Sequence, residues 1–178
     1  MKKSTMKKSI LAVLLLVFAS VFIVRVPTAV FAGPTENVQA AMQLLKSKVA
    51  TFGVPNVKGE EEVAGKTVPV LYFGSTEMNN NFALVDEIQK QMGGTATLFV
   101  KDGDEFVRVA TNVKKADGSR AIGTILDPKG KAFAAIAKGE SYFGEADILG
   151  KPYITGYEPI RDASNNVIGI YYVGYLKQ

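Results

Sequence analysis

Gly139–Gly174, GESYFGEADILGKPYITGYEPIRDASNNVIGIYYVG, is the stretch from which the fold can be read. It holds three short aromatic and β-branched runs, broken by Gly150-Lys151-Pro152 and by Asp162-Ala163-Ser164-Asn165-Asn166, so each run is bounded as strands are bounded. The spacing predicts a three-stranded antiparallel meander. Six of the chain's seven tyrosines lie in it or just after it: Tyr142, Tyr153, Tyr157, Tyr171, Tyr172 and Tyr175. One sheet thus gains several flat, amphipathic walls with hydroxyl tips, which suits a small polar ligand.

Outward from the meander, 178 residues at 47% apolar composition are enough for one domain with a real core and too few for two comfortable ones. The formal charge of +4 is misleading, because Lys2, Lys3, Lys7, Lys8 and Arg25 all precede the first acidic residue, Glu36. Without those five, 16 basic side chains face 17 acidic ones, and a domain near −1 has no global attraction for nucleic acid. The basic start, the apolar run Ile10–Val24 and the small residues around Ala32 predict a signal peptide over 1–32, cleaved on export to the periplasm or the exterior. An uncleaved N-terminal membrane anchor is the alternative, since the run continued to Ala32 approaches the roughly 20 residues that cross a bilayer. No second hydrophobic span follows, so a two-pass receptor is not expected and residues 33–178 are read as a single domain.

Cysteine and histidine are both absent. That removes disulfides, thiolate nucleophiles, Ser-His and Cys-His pairs and most zinc chemistry, and leaves an enzyme only carboxylates, lysine or tyrosine. No acid pair has a spacing that suggests separately tuned general acid and base, so a non-catalytic protein without a cofactor is expected.

From Pro34, the residues Val38, Met42, Leu45, Val49 and Phe52 recur on one face until Gly53, an amphipathic helix. Val54–Lys66, with Pro55, Gly59, Gly65 and Glu60-Glu61-Glu62, shows no apolar period and reads as a surface loop rather than a cation site. Val68–Phe73 reads as a strand, and Phe82–Met92 as a helix capped by the asparagines at 79–81 and ended by Gly93-Gly94. Thr95–Val100 and Glu105–Thr111 are strands joined around Asp102-Gly103, a hairpin turn and not a calcium loop. Arg120–Leu126 is read as a short extended piece. Asp127-Pro128 is read as the start of a small helix ended by Gly139. Gly130-Lys131 is no phosphate loop, because the earlier glycine and the following Ser or Thr are missing. The order predicts an α+β domain with an antiparallel sheet flanked by helices, PAS-like in arrangement.

The residues Gly139, Tyr142, Gly144, Ala146, Ile148-Leu149-Gly150, Pro152-Tyr153, Thr155, Tyr157, Pro159-Ile160 and Asp162, followed by Gly169 and Tyr172-Val173-Gly174, form a pattern that resembles the Cache sensor domains. The likeness is to the Cache 3/Cache 2 fusion type found in the extracellular part of methyl-accepting chemotaxis proteins. Arg108–Val113 and Gly118, Arg120, Gly123-Thr124 and Leu126 are similar to the same family. The resemblance implies a PAS-like sheet that binds a small extracellular solute, often a short carboxylate, and passes a signal to a membrane receptor or histidine kinase. It also implies a homodimer through the first helix. With no second span expected here, signalling output would run through a partner.

A carboxylate leaving water needs charge-assisted donors, and arginine offers a planar fork. Arg108 and Arg120 are the arginines flanked by strand-like apolar residues; Tyr153, Thr155 and Tyr157 share one strand face, with Tyr142 and Lys151 nearby. These seven are the ligand-binding candidates. Against them stands the common fate of such residues: a sheet tyrosine is often core, an arginine often pairs with a loop carboxylate, and a turn lysine is solvated. The competing function is an interaction or structural protein that keeps the scaffold without a ligand.

Overall fold

The structure is a computed structural model that describes residues 34–177; the expected leader lies outside them. Helix α1 (Pro34–Ala50) opens the domain, followed by β1 (Pro55–Val63), β2 (Lys66–Phe73) and the two-residue β3 (Thr76–Glu77). Next come α2 (Ala83–Met92), β4 (Thr95–Asp102), β5 (Glu105–Thr111), α3 (Lys131–Ala137), β6 (Tyr142–Ile148), β7 (Lys151–Arg161) and β8 (Val167–Leu176). A five-stranded antiparallel sheet in the order β5-β4-β8-β7-β6 is the centre of this α+β, PAS-like fold. The meander forms one half of it as read from the sequence, and the β4–β5 hairpin adds to β8.

The expected loop over 54–66 is instead β1, paired with β2 in a second, three-stranded sheet. Glu60 and Glu62 are solvent-facing, Glu61 is half-buried and accepts from Asn80 Nδ2, and the pairing is interrupted between Val57 and Glu60, so neither a clean apolar alternation nor a periodic stripe marks it as a strand. Tertiary pairing overrides its polar composition. The hairpin closes through Ala64 and Gly65, both at positive φ. The small helix also begins later than expected, at Lys131: Asp127 Oδ1 accepts from the Lys129 N–H and the Asp127 carbonyl from that of Gly130, a turn that precedes the helix.

Each face of the large sheet has its own core. One packs Val38, Met42, Leu45 and Val49 of α1 and Val85 and Ile88 of α2 against Leu98, Val107, Val109 and Val173. Gly156 permits this approach, because a Cβ there would lie 2.9 Å from a Val38 methyl. Phe52, expected on the same stripe, lies past the end of α1 and is 42% exposed. The other face packs Phe99, Phe106, Tyr157, Ile170 and Tyr172 under α3 and the segment 113–126. That segment is not a regular strand. It turns at Gly123 and runs beside β5, with the Arg108 N–H on the Thr124 carbonyl, the Gly123 N–H on the Arg108 carbonyl and the Leu126 N–H on the Phe106 carbonyl, each at 2.9 Å.

Candidate functional site

The meander places Tyr142, Tyr157 and Tyr172 opposite one another across β6, β7 and β8. Their rings follow in sequence, with centroids 6.3 Å apart for Tyr142–Tyr157 and 4.9 Å for Tyr157–Tyr172. The neighbouring register row is Gly144, Thr155 and Gly174, and its small residues make room for the phenol ends. A Cβ on Gly144 would sit 2.8 Å from the Tyr142 hydroxyl, and one on Gly174 would sit 2.3 Å from that of Tyr172. Tyrosine and glycine at two-residue spacing are therefore one device.

On the other half of the sheet a register shift between Leu98 and Phe99 sets Arg108 opposite Phe99. The extra residue turns Arg108 onto the same face as the tyrosine row, a re-aiming typical of bulges beside sites. The guanidinium stacks on Phe99, 4.9 Å from the ring centroid, and Arg108 is only 4% exposed. Its Nη1 donates to Thr124 Oγ1 at 2.7 Å and to the Ile125 carbonyl at 3.3 Å, while Nε is buried without a partner. None of the ion pairs among the described residues involves it. Burial pushes the guanidinium below its ordinary pKa, with Tyr157 and Tyr172 opposing the shift. Burial pushes the Tyr157 and Tyr172 phenols well above the usual tyrosine range, so both are neutral hydroxyls at neutral pH.

A cleft of about 580 Å³ opens over this region between α3, β6 and the end of the 113–126 segment. Arg108, Tyr142 and Tyr157 line it together with Leu126, Ala132 and Ile148. Lys129, Lys131, Asp127, Glu145 and Asp147 are further lining residues, so the charges of the wall balance. All three acids are engaged: Asp127 and Asp147 accept backbone N–H bonds, and Glu145 pairs with Lys177. Arg108 is the buried charge of the wall without an opposite; Lys129 and Lys131, which are likewise in no ion pair among the described residues, are solvent-exposed.

Of the seven sequence candidates, the cleft unites Arg108, Tyr142 and Tyr157. Thr155 is buried beside it and donates to the Gly144 carbonyl at 2.7 Å; Tyr153 packs at the edge of the same core. Lys151 is exposed at the start of β7. Arg120 is elsewhere: Nη1 and Nη2 reach both Asp86 oxygens at 2.7 and 2.8 Å, Nη1 also donates to the Thr111 carbonyl, and the group lies over the Phe82 ring. Sequence reading overlooked Thr124, and its place in the motif Gly123-Thr124-x-Leu126 was the available signal.

A PAS-like sheet with a cleft on one face, lined by an arginine and two tyrosines, has the form of a ligand-binding sensor domain. Within that class the chain belongs to the Cache 3/Cache 2 fusion domain family, which it matches over residues 32–178. No curated protein matches the chain. No helix among the described residues is long and apolar enough to cross a membrane.

Proposed function

We propose that this Cache domain is an exported, non-catalytic sensor that takes up a short carboxylate, held in the cleft through Arg108 and the hydroxyl of Tyr157, with the Tyr142 ring as a wall because its hydroxyl donates to the Glu145 carbonyl at 2.7 Å. The observation that carries the reading is the buried, unpaired guanidinium. A charge withdrawn from water costs several kcal/mol unless an opposite charge or full hydrogen bonding offsets it. Arg108 has the Thr124 and Ile125 bonds and the Phe99 stack, and an anion in the cleft would supply the missing counter-charge. Arg120 already has its carboxylate in Asp86, so it belongs to the scaffold. Output would pass through a membrane receptor or histidine kinase; a homodimer through α1 would have to use its polar outer face, because the stripe Val38, Met42, Leu45 and Val49 packs into the domain's own core.

Isothermal titration of the exported domain with acetate, propionate, lactate, pyruvate and succinate, alongside amino acids and amines, tests the reading. Saturable binding by carboxylates that Arg108→Met removes is the expected result. Preference for amines, or no binding by any compound together with a cleft that excludes them, would favour an interaction or structural protein without a ligand. Recovery of each bound compound unchanged, checked by one-dimensional NMR, tests the absence of catalysis.

A further inference from the structure

We infer that Thr124 is a positioning residue for the Arg108 guanidinium, fixing which of its donors the cleft presents to an anion. The inference rests on the anion-binding reading above and adds the residue that sets its geometry. A threonine hydroxyl has one hydrogen and two lone pairs. The Thr124 hydroxyl donates to the Ala121 carbonyl at 2.7 Å, which aims its lone pairs at Arg108 Nη1, also 2.7 Å away. The Ile125 carbonyl is a second acceptor for the same nitrogen. Nη1 is thereby consumed and Nε is sealed inside, so Nη2 is the nitrogen left to meet a ligand.

Thr124 itself has little freedom. Its carbonyl accepts from the Arg108 N–H, so the two residues are neighbours across a backbone pair. Before it stands Gly123, at φ +75°, so close to the β1–β2 turn that a Cβ would lie 2.7 Å from the Ala64 methyl. The hydroxyl is therefore built to orient the guanidinium rather than to follow it. Valine at 124 would keep the shape and put a methyl group where the lone pairs were. Nη1 would then face an apolar group, and the guanidinium would turn towards solvent to recover hydrogen bonds.

The test compares Thr124→Val, Thr124→Ser and Thr124→Ala, each alone and in an Arg108→Lys background. Titration uses whichever of acetate, propionate, lactate, pyruvate and succinate binds the parent domain tightest. Guanidinium NMR of the ligand-free protein, with Arg108 assigned through its loss in Arg108→Lys, is read in parallel. Expected are an affinity loss of about tenfold for valine, as for one charge-assisted hydrogen bond, and recovery to within about twofold for serine. No further loss is expected when valine is added to Arg108→Lys. The Arg108 Nη signals should be resolved in the parent and in Thr124→Ser, and averaged by rotation in Thr124→Val. Thr124→Ala carries the same expectation should the valine variant not fold. Unchanged Nη signals in Thr124→Val, a serine variant as weak as valine, or a valine effect that persists without Arg108 would each overturn the assignment. If no carboxylate binds the parent, the anion reading fails, while the Nη signals still decide whether Thr124 orients Arg108.

Discussion

Arg108→Met separates the two roles a buried arginine can have. The substitution keeps much of the apolar stem and removes the charge from a residue that is 4% exposed. In the ligand-free domain, two hydrogen bonds to a charged donor contribute about 1.5–3 kcal/mol each, the 3.3 Å bond to Ile125 at the low end. The desolvated stack on Phe99 adds about 2 kcal/mol. Against them stands a desolvation cost of several kcal/mol, which methionine does not incur. These opposing contributions are of similar size, so apo stability should change by no more than about 2 kcal/mol in either direction, or about 4–8 °C in Tm for a domain of this size. Binding has no such compensation. Removing one partner of a buried charge pair costs about 2–5 kcal/mol, at least a thirtyfold loss in Kd or so. At one hundred times Kd a ligand stabilises by about 2.7 kcal/mol, so the parent should melt about 5–10 °C higher with carboxylate and Arg108→Met should not. Differential scanning fluorimetry with and without ligand reads both numbers. A collapse of apo stability by more than about 4 kcal/mol with binding retained would refute the reasoning and make Arg108 a scaffold residue.

Arg120→Ala should behave in the opposite way, lowering apo stability by about 1–3 kcal/mol, since Asp86 is half solvated and the pair is screened. Asp86→Ala should cost a similar amount and the double substitution little more; loss of carboxylate binding at parental stability would instead return Arg120 to the site. Gly123→Ala combines a positive φ with a Cβ 2.7 Å from Ala64, so urea melts should show at least about 1–2 kcal/mol of destabilisation and titration a weaker ligand. A variant as stable as the parent would mean that the contact is slack. Tyr157, Tyr171 and Tyr172 all have folded pKa values raised by burial. The native state then holds their protons longer than the unfolded chain, so they leave stability unchanged below about pH 10 and lower it above that, by up to about 1.4 kcal/mol per pH unit each. Chemical denaturation at pH 8, 10 and 11 should show this, with a shallower alkaline slope in Tyr157→Phe; a flat profile to pH 11 would contradict their burial.

The meander was legible because its signals are local. Gly150-Lys151-Pro152 and Asp162–Asn166 end strands by turn chemistry, and the runs between them are rich in residues that favour a pleated, half-buried surface. The pairing of Tyr142, Tyr157 and Tyr172 follows from those turns, since hairpin geometry fixes register. Arg108 was legible as a face-bearing residue for the same reason. Its partner was not, because the bulge beside Phe99 has no glycine or proline to announce it, and Thr124 reaches Arg108 through an irregular segment. The two arginines looked alike in sequence; only the three-dimensional position of Asp86, 34 residues away, distinguishes them.

The segment misread as a loop has the largest consequence for the site. Nothing in Asn56–Val63 favours a strand by apolar period, and β1 forms because β2 offers it a full edge to pair with. That pairing carries the hairpin to Ala64, and the Ala64 methyl backs Gly123, the residue before the one that orients Arg108. A largely polar strand thus supports the position of a buried charge through the Ala64–Gly123 contact. Such support leaves no mark on the composition of either segment. It is visible in the sequence only as Gly123, a glycine whose necessity depends on a neighbour 59 residues earlier.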